Sequence, residues 1–198
     1  MDIQTPSKQK IIHGVTELLK EKSLANIKVA DITERSGVSH QTFYRVFADK
    51  YDACECACHR LLSAAALIVG SNSTVREHTF CTLNIIKTNA GFFRHLLDSE
   101  DGVDVVKRAL RHLSEESINF RSESPIMNSW IFCLQEWSKA HFKTPMEDVY
   151  HRIISCYPLN EVVFGQELID IMDKYGQYTM QELESSVNAR SRLRGGRP

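Results

Sequence analysis

The chain has 198 residues, of which 42% are hydrophobic and 25% are charged, and its formal net charge is -1. These values predict one globular protein with ample chain for a core, and the lack of any run of about 18 apolar residues argues against a membrane protein. The polar first seven residues lack the apolar segment of a secretory signal, so we expect a cytoplasmic protein whose six cysteines are reduced thiols.

The amino-terminal segment predicts a helix. Thr5 and Pro6 form a typical helix start, and a helical pattern follows as far as Glu21. Apolar residues recur on one face of this helix, namely Ile11, Ile12, Val15, Leu18 and Leu19. We expect this apolar stripe to close over the segment that follows it.

Residues 29–51 have the pattern of a helix-turn-helix. A short amphipathic helix ends at Gly37, which adopts the left-handed conformation of a turn more easily than other residues do. Ser39 is a favourable N-cap for a second helix, because its hydroxyl accepts a hydrogen bond from a backbone N–H of the first turn. Asp49 is the corresponding N-cap for a third helix that starts at Lys50.

The second of these helices has two different faces. Phe43, Val46 and Phe47 share one face and are expected to pack. The other face carries polar groups that suit base edges and phosphate oxygens in a major groove, on His40, Gln41, Tyr44 and Arg45. The segment therefore predicts DNA binding.

These residues resemble a known family. ThrPheTyrArgValPheAlaAspLys, which follows SerGlyValSer, is similar to the amino-terminal domain of the TetR (TetR/AcrR) transcriptional regulators. The resemblance covers about the first quarter of the chain and depends on a linked spacing of Gly37, Ser39, Thr42, Tyr44, Phe47 and Lys50. It implies a recognition helix over residues 39–45 and a carboxy-terminal bundle that forms a homodimer and, in most members, a small-molecule pocket.

Candidate DNA contacts follow from the motif and the resemblance. With a net charge near zero, positive potential must be concentrated on one surface. We expect base reading by Gln41 and Arg45, with His40, and phosphate positioning by Ser39, Thr42, Tyr44, Lys50 and Lys28.

Beyond Lys50 the sequence predicts helix almost throughout. One long helix runs from Lys50 to Gly70, and further helices are predicted over residues 74–89, 91–97, 103–120, 125–142 and 145–156. One or two more fit between residues 160 and 187. The expected fold is all-α, with a helix-turn-helix head (residues 1–50) joined through the long helix to a ligand-binding and dimerisation bundle (51–187) and a basic, disordered tail (188–198).

Two aromatic groups in the bundle are candidates for pocket lining. One lies on a single face of the predicted helix 125–142 and consists of Trp130, Cys133, Leu134, Trp137 and His141. The other consists of Phe80, Phe92, Phe93, His95 and Leu96. Core packing is the leading interpretation of both, a dimer interface or a pocket is the alternative, and His95 is also interpreted as a surface histidine. If a pocket is present, its predicted ligand contacts are Phe80, Phe92, His95, Trp130 and Leu134.

Metal and catalytic chemistry find little support in the sequence. Cys54, Cys56 and Cys58 invite a metal or redox interpretation, but a helix turns Cys56 roughly 160 degrees away from the other two. Small residues at these positions also allow close helix packing. No phosphate loop, dinucleotide fingerprint, zinc-protease motif or nucleophile elbow occurs, so we expect no enzyme, no cofactor and no metal.

The sequence thus predicts a homodimeric regulator of a palindromic operator on double-stranded DNA, in which an unidentified small-molecule effector relieves repression. The alternative is a coactivator or adaptor of the same family whose carboxy-terminal bundle binds a partner protein.

Overall fold

The computed structural model describes residues 5–70, 74–117 and 125–157, together with residues 170, 171 and 174. Regular structure in these ranges is helical, which confirms the all-α prediction. The α-helices are α1 (Pro6–Glu21), α2 (Val29–Ser36), α3 (His40–Val46), α4 (Lys50–Val69), α5 (Val75–Thr88), α6 (Ala90–Leu97), α7 (Glu100–Ser117), α8 (Pro125–Lys139) and α9 (Met146–Ile154). None of the helices in these ranges combines the length and apolar character that a membrane crossing requires.

The first helix forms as the sequence predicts. The side chain of Thr5 accepts a hydrogen bond from the N–H of Lys8 at 3.3 Å, and Pro6 occupies the first turn, where a missing N–H costs nothing. The predicted apolar stripe is buried along its whole length and packs against α2, α3 and α4. The stripe thus forms the core of the amino-terminal head.

The long helix α4 connects the head to the bundle, because it packs against α1 as well as against α5 and α7. Its small residues Ala53, Cys54, Ala57 and Cys58 are buried, which lets the neighbouring helices approach closely. Cys54 and Cys58 therefore share the inner face that the sequence predicts, whereas Cys56 is only partly buried. Burial raises the pKa of Cys54 to about 12, so this thiol stays protonated and unreactive at neutral pH.

The helices α6 and α7 meet at a tight corner. The Ser99 hydroxyl accepts a hydrogen bond from the N–H of Gly102 at 3.2 Å, so α7 begins at Glu100 and not at residue 103. A Cβ atom at position 102 would overlap the carbonyl oxygen of Leu96. Only glycine therefore allows α7 to pack this closely against the end of α6.

One prediction about the end of the bundle is wrong. The helix α8 ends at Lys139, and His141 lies in the following turn with φ 53, so it does not share the face of Trp130 and Trp137. The helix α9 begins at Met146, with Pro145 as its cap residue and no side-chain cap hydrogen bond. The helices predicted between residues 160 and 187 lie outside the described residues apart from positions 170, 171 and 174, as does the tail 188–198.

Candidate nucleic-acid interface

The turn between α2 and α3 has the geometry that the sequence predicts. Gly37 adopts the left-handed conformation (φ 64, ψ 35), and its N–H donates to the carbonyl of Glu34 at 3.2 Å. The N–H of Val38 donates to the carbonyl of Thr33 at 3.1 Å, which closes the end of α2. Three residues, Gly37 to Ser39, therefore connect α2 to α3.

The start of α3 is held by its own first turn. The N–H of Thr42 donates to the Ser39 hydroxyl at 3.1 Å, and that hydroxyl in turn donates to the Thr42 hydroxyl at 3.0 Å. Both side chains therefore lie together at the amino end of α3. This end of a helix carries positive partial charge and favours anions.

Burial divides α3 into an inner and an outer face. Phe43 is completely buried and Phe47 is 3% exposed, whereas the adjacent Tyr44 is 56% exposed. The rings of Phe43 and Tyr44 meet edge to face at 5.3 Å between centroids, so the buried ring supports the exposed one. His40, Gln41 and Arg45 are also exposed.

Two ion pairs brace the head behind this surface. Arg35 at the end of α2 forms a bidentate ion pair with Glu21 at the end of α1, and both N···O distances are 2.8 Å. Lys22 pairs with Asp31 at 2.9 Å, and the N–H of Lys28 donates to the same carboxylate at 2.8 Å. The Lys28 backbone bond and the Lys22 pair hold the pKa of Asp31 below its usual value of 3.8. The exposed side chain of Lys28 therefore begins at a fixed backbone position.

Comparison with known protein families identifies the family that the head matches. The sequence model of the tetR family of bacterial regulatory proteins matches residues 11–52, the segment that contains most of α1 together with α2, the turn and α3. Residues 11–52 form a TetR-family DNA-binding domain.

Solved TetR structures share the fold over most of the chain. A TetR transcriptional regulator from Rhodococcus sp. RHA1 is 15% identical, with a TM-score of 0.53 over 78% of this chain and 98% of that one. A TetR transcriptional regulator from Streptococcus agalactiae 2603V is 22% identical, with a TM-score of 0.53 over 76% of this chain and 93% of that one. Comparison with curated proteins finds no matching relative.

In this TetR-family head, Lys50 lies deeper than the sequence suggests. Its ammonium donates to the carbonyl of Leu24 at 3.0 Å and to that of Ile27 at 2.9 Å, and the side chain is partly buried. Leu24 and Ile27 belong to the short 3-10 turn Leu24–Asn26 and the residue after it. Two of the three ammonium donors are thus used to hold the segment between α1 and α2.

Three contacts that no sequence motif signals fasten α1 and α4 to the bundle helices α6 and α7. His95 Nδ1 on α6 lies 2.8 Å from the carbonyl oxygen of Leu19, in the last turn of α1. The Tyr51 hydroxyl donates to Asp101 on α7 at 2.9 Å. Glu55 on α4 pairs with Arg108 and lies 3.2 Å from the ring of His112, both on α7. His95, predicted as a ligand contact or a surface histidine, therefore lies at the junction of the two regions.

The remaining candidates for ligand contact lie inside the core. Phe80 is 2% exposed and packs edge to face with Tyr150, while Phe92 is fully buried against Phe93. Leu134 is fully buried, and the Trp130 indole donates to the Tyr157 hydroxyl at 2.9 Å.

Two clefts in the described part of the chain lie away from the five candidate ligand contacts. One, of about 420 Å³, lies beside the start of α4 and is lined by Asp49, Tyr51, Asp52, Glu55, Asp101, Asp104 and Arg108. The other, of about 360 Å³, lies at the end of α8. None of the five candidate residues lines either cleft, so their role in a pocket stays a prediction.

Proposed function

We propose that the protein binds a palindromic operator as a homodimer and represses transcription until a small molecule releases it. The observation that carries this proposal is the outer face of α3, where four polar side chains project from a helix that buried Phe43 and Phe47 fix in place. A rigid helix with an exposed polar face fits the major groove, which is wide enough for a helix and presents a distinct pattern for each base pair.

The side chains on α3 and around it divide into two roles. Gln41 and Arg45, with His40, read bases, because an amide and a guanidinium each form paired hydrogen bonds with a purine edge. The other contacts position the phosphates and come from Ser39, Thr42, Tyr44, Lys28 and Lys50. For Lys50 this role rests on its one remaining ammonium donor.

Homodimerisation follows from the way such heads read DNA. A twofold dimer presents two α3 helices to half-sites one helical turn apart, about 34 to 36 Å. The division expected from the sequence assigns reading to residues 1–50 and dimerisation with ligand binding to residues 51–187. Phe132 on α8 is 65% exposed and offers an apolar contact for the second copy.

Release requires that a change in the bundle reaches the head. The contacts of α6 with α1 and of α7 with α4 provide this connection, because they fix the orientation of the head relative to the bundle. A ligand that favours a different arrangement of these helices moves the two α3 helices away from the half-site spacing.

A pair of arginine variants tests the reading surface. Arg45→Ala removes a proposed base contact, whereas Arg152→Ala removes another exposed arginine, which lies on α9 outside the head. In anisotropy titrations with operator DNA selected by the wild-type protein, we expect at least about tenfold weaker binding for Arg45→Ala and unchanged binding for Arg152→Ala. Equal affinities of the two variants would contradict the proposed surface.

A further inference from the structure

A cleft of about 360 Å³ lies where α6, the start of α7 and the end of α8 meet. Pockets of roughly 300 Å³ and above hold small organic ligands. Its walls carry side chains of both charges and several neutral polar groups, namely Arg94, Leu97, Asp98, Ser99, Glu100, Gln135, Ser138, Lys139 and His141.

The most informative lining residue is Ser138. Only 7% of this residue is exposed, and its hydroxyl oxygen is not one of the fully buried atoms without a partner in the described ranges, so the small exposed part includes the hydroxyl, which faces the cleft. A hydroxyl in this position is available to a ligand.

The turn after α8 fixes the mouth of the cleft. His141 and Phe142 have φ 53 and φ 56, a left-handed conformation that non-glycine residues rarely adopt in succession. The Phe142 N–H donates to the carbonyl of Trp137 at 2.8 Å, and the Trp137 indole donates to the carbonyl of Thr144 at 2.9 Å. These bonds hold the turn, and with it His141, at the rim of the cleft.

The charged groups of the cleft are available as well. Among the described residues, Arg94, Asp98 and Glu100 form no ion pair, and Arg94 Nη2 lies 3.4 Å from His95 Nε2. Lys139 pairs only with Glu136, at 2.9 Å, and this exposed contact holds the ammonium weakly. The cleft therefore offers two permanent cations and two carboxylates.

We propose that this cleft binds a small zwitterion of the amino-acid type, which carries one carboxylate and one ammonium group. The ligand carboxylate pairs with Arg94 and Lys139, and its ammonium pairs with Asp98 and Glu100. The Ser138 hydroxyl supplies a further hydrogen bond. A simple anion is repelled by the two carboxylates, and a simple cation is repelled by Arg94 and Lys139.

The position of the cleft gives the ligand a route to the DNA-binding surface. Arg94 precedes His95 on α6, and His95 holds the last turn of α1 through the carbonyl of Leu19. A ligand whose carboxylate displaces Arg94 also displaces the neighbouring His95, which holds α1 of the head. This regulatory consequence rests on the proposed function, whereas the binding itself does not.

Calorimetric titration of the full chain tests the binding. The probes are the twenty common L-amino acids, each added separately, with acetate and methylammonium as single-charge controls. We expect at least one amino acid to bind, with an affinity at least about tenfold above both controls. Binding by none of the twenty, or equal binding of acetate, overturns the proposal.

Two variants locate the site. Asp98→Asn should weaken binding of that amino acid at least about tenfold, because its ammonium loses a charged partner, whereas Asp148→Asn on the exposed surface of α9 should not. Ser138→Ala should also weaken binding several-fold, yet leave the melting temperature of the free protein unchanged, since the hydroxyl faces the cleft. Wild-type affinity in Asp98→Asn or in Ser138→Ala contradicts the assignment, and a lower melting temperature of Ser138→Ala shows a structural role instead.

DNA titration separates this proposal from the proposed function. If the protein binds its operator but no amino acid, only the cleft assignment is wrong. If it binds an amino acid at the cleft but no DNA, the cleft assignment stands and the proposed function is wrong.

Discussion

The outer face of α3 and the junction between α1 and α6 differ in how their polar groups are used. On α3, His40, Gln41, Tyr44 and Arg45 project outward and leave their hydrogen-bonding groups for a partner. At the junction, His95 already contacts the carbonyl of Leu19 at 2.8 Å. We propose that the first surface contacts another molecule, whereas the second holds two parts of this molecule together. Substitutions on the first should change binding, and those at the second should change stability and domain orientation.

The neighbours Phe43 and Tyr44 give the largest expected contrast. Phe43→Ala removes a fully buried ring and should lower the free energy of unfolding by about 3 to 5 kcal/mol. Tyr44→Ala removes a ring that is 56% exposed, so it should change stability far less while weakening DNA binding. Chemical denaturation followed by circular dichroism measures the first effect, and anisotropy with operator DNA the second. Similar stability losses in both variants would remove the distinction between the two faces.

Lys50 combines the two uses of a polar group, because its ammonium holds the carbonyls of Leu24 and Ile27 and is also a proposed phosphate contact. Lys50→Ala leaves the carbonyls of Leu24 and Ile27 without their donor, so we expect a loss of about 1 to 3 kcal/mol in stability. DNA binding should weaken alike for all sequences, with a smaller salt dependence, because a phosphate contact carries no sequence information. Unchanged stability contradicts the bracing role, and an unchanged salt dependence contradicts the phosphate contact.

Gln41 should affect specificity alone. In Gln41→Ala the protein should lose about 1 to 3 kcal/mol of preference at one base position and keep the wild-type salt dependence and stability. Titrations against operators mutated at single positions measure this preference. Uniform weakening across all operators would reassign Gln41 to the phosphate backbone.

His95 should have a smaller effect, seen first in stability. His95→Ala removes one hydrogen bond across the junction and should cost about 1 kcal/mol. The exposed His13 on α1 provides the matched control, His13→Ala, which should leave stability unchanged. If both histidine variants unfold at the wild-type denaturant concentration, the junction contact contributes nothing.

Asp31 should give the smallest effect, visible as a dependence on pH. Its pKa is lowered in the folded protein, so its charge stabilises the fold above pH 3.8, and this contribution is lost as the pH falls through the folded pKa. In Asp31→Asn the uncharged amide lacks this contribution. The stability difference between wild type and variant should therefore shrink as the pH is lowered, and a constant difference would contradict the charge effect.

The same contrast explains what the sequence predicts well and what it does not. Gly37, Ser39 and Asp49 act on backbone groups within a few residues, so the turn and the helix starts are visible in the local pattern. The contact of His95 with Leu19 spans 76 positions, and no local pattern signals it. The buried position of the Lys50 ammonium depends on carbonyls 26 and 23 residues earlier, which only the folded head brings near.

The bundle shows a second limit. An apolar stripe predicts burial but not whether the buried residues line a cavity, so Phe80 and Phe92 remain ambiguous in the sequence. The end of α8 depends on two left-handed residues that are not glycine, His141 and Phe142, and neither carries the usual signal of a helix stop. The cleft at that end, with its buried Ser138, could therefore be found only in the folded chain.

Selection of DNA fragments from a genomic pool tests the central claim, that the outer face of α3 reads a palindromic operator. The wild-type protein should enrich fragments with an inverted repeat whose half-sites are centred about one helical turn apart, and the double variant Gln41→Ala, Arg45→Ala should lose that repeat while remaining folded. Enrichment of the same repeat by the double variant, or no repeat with the wild type, would contradict the account.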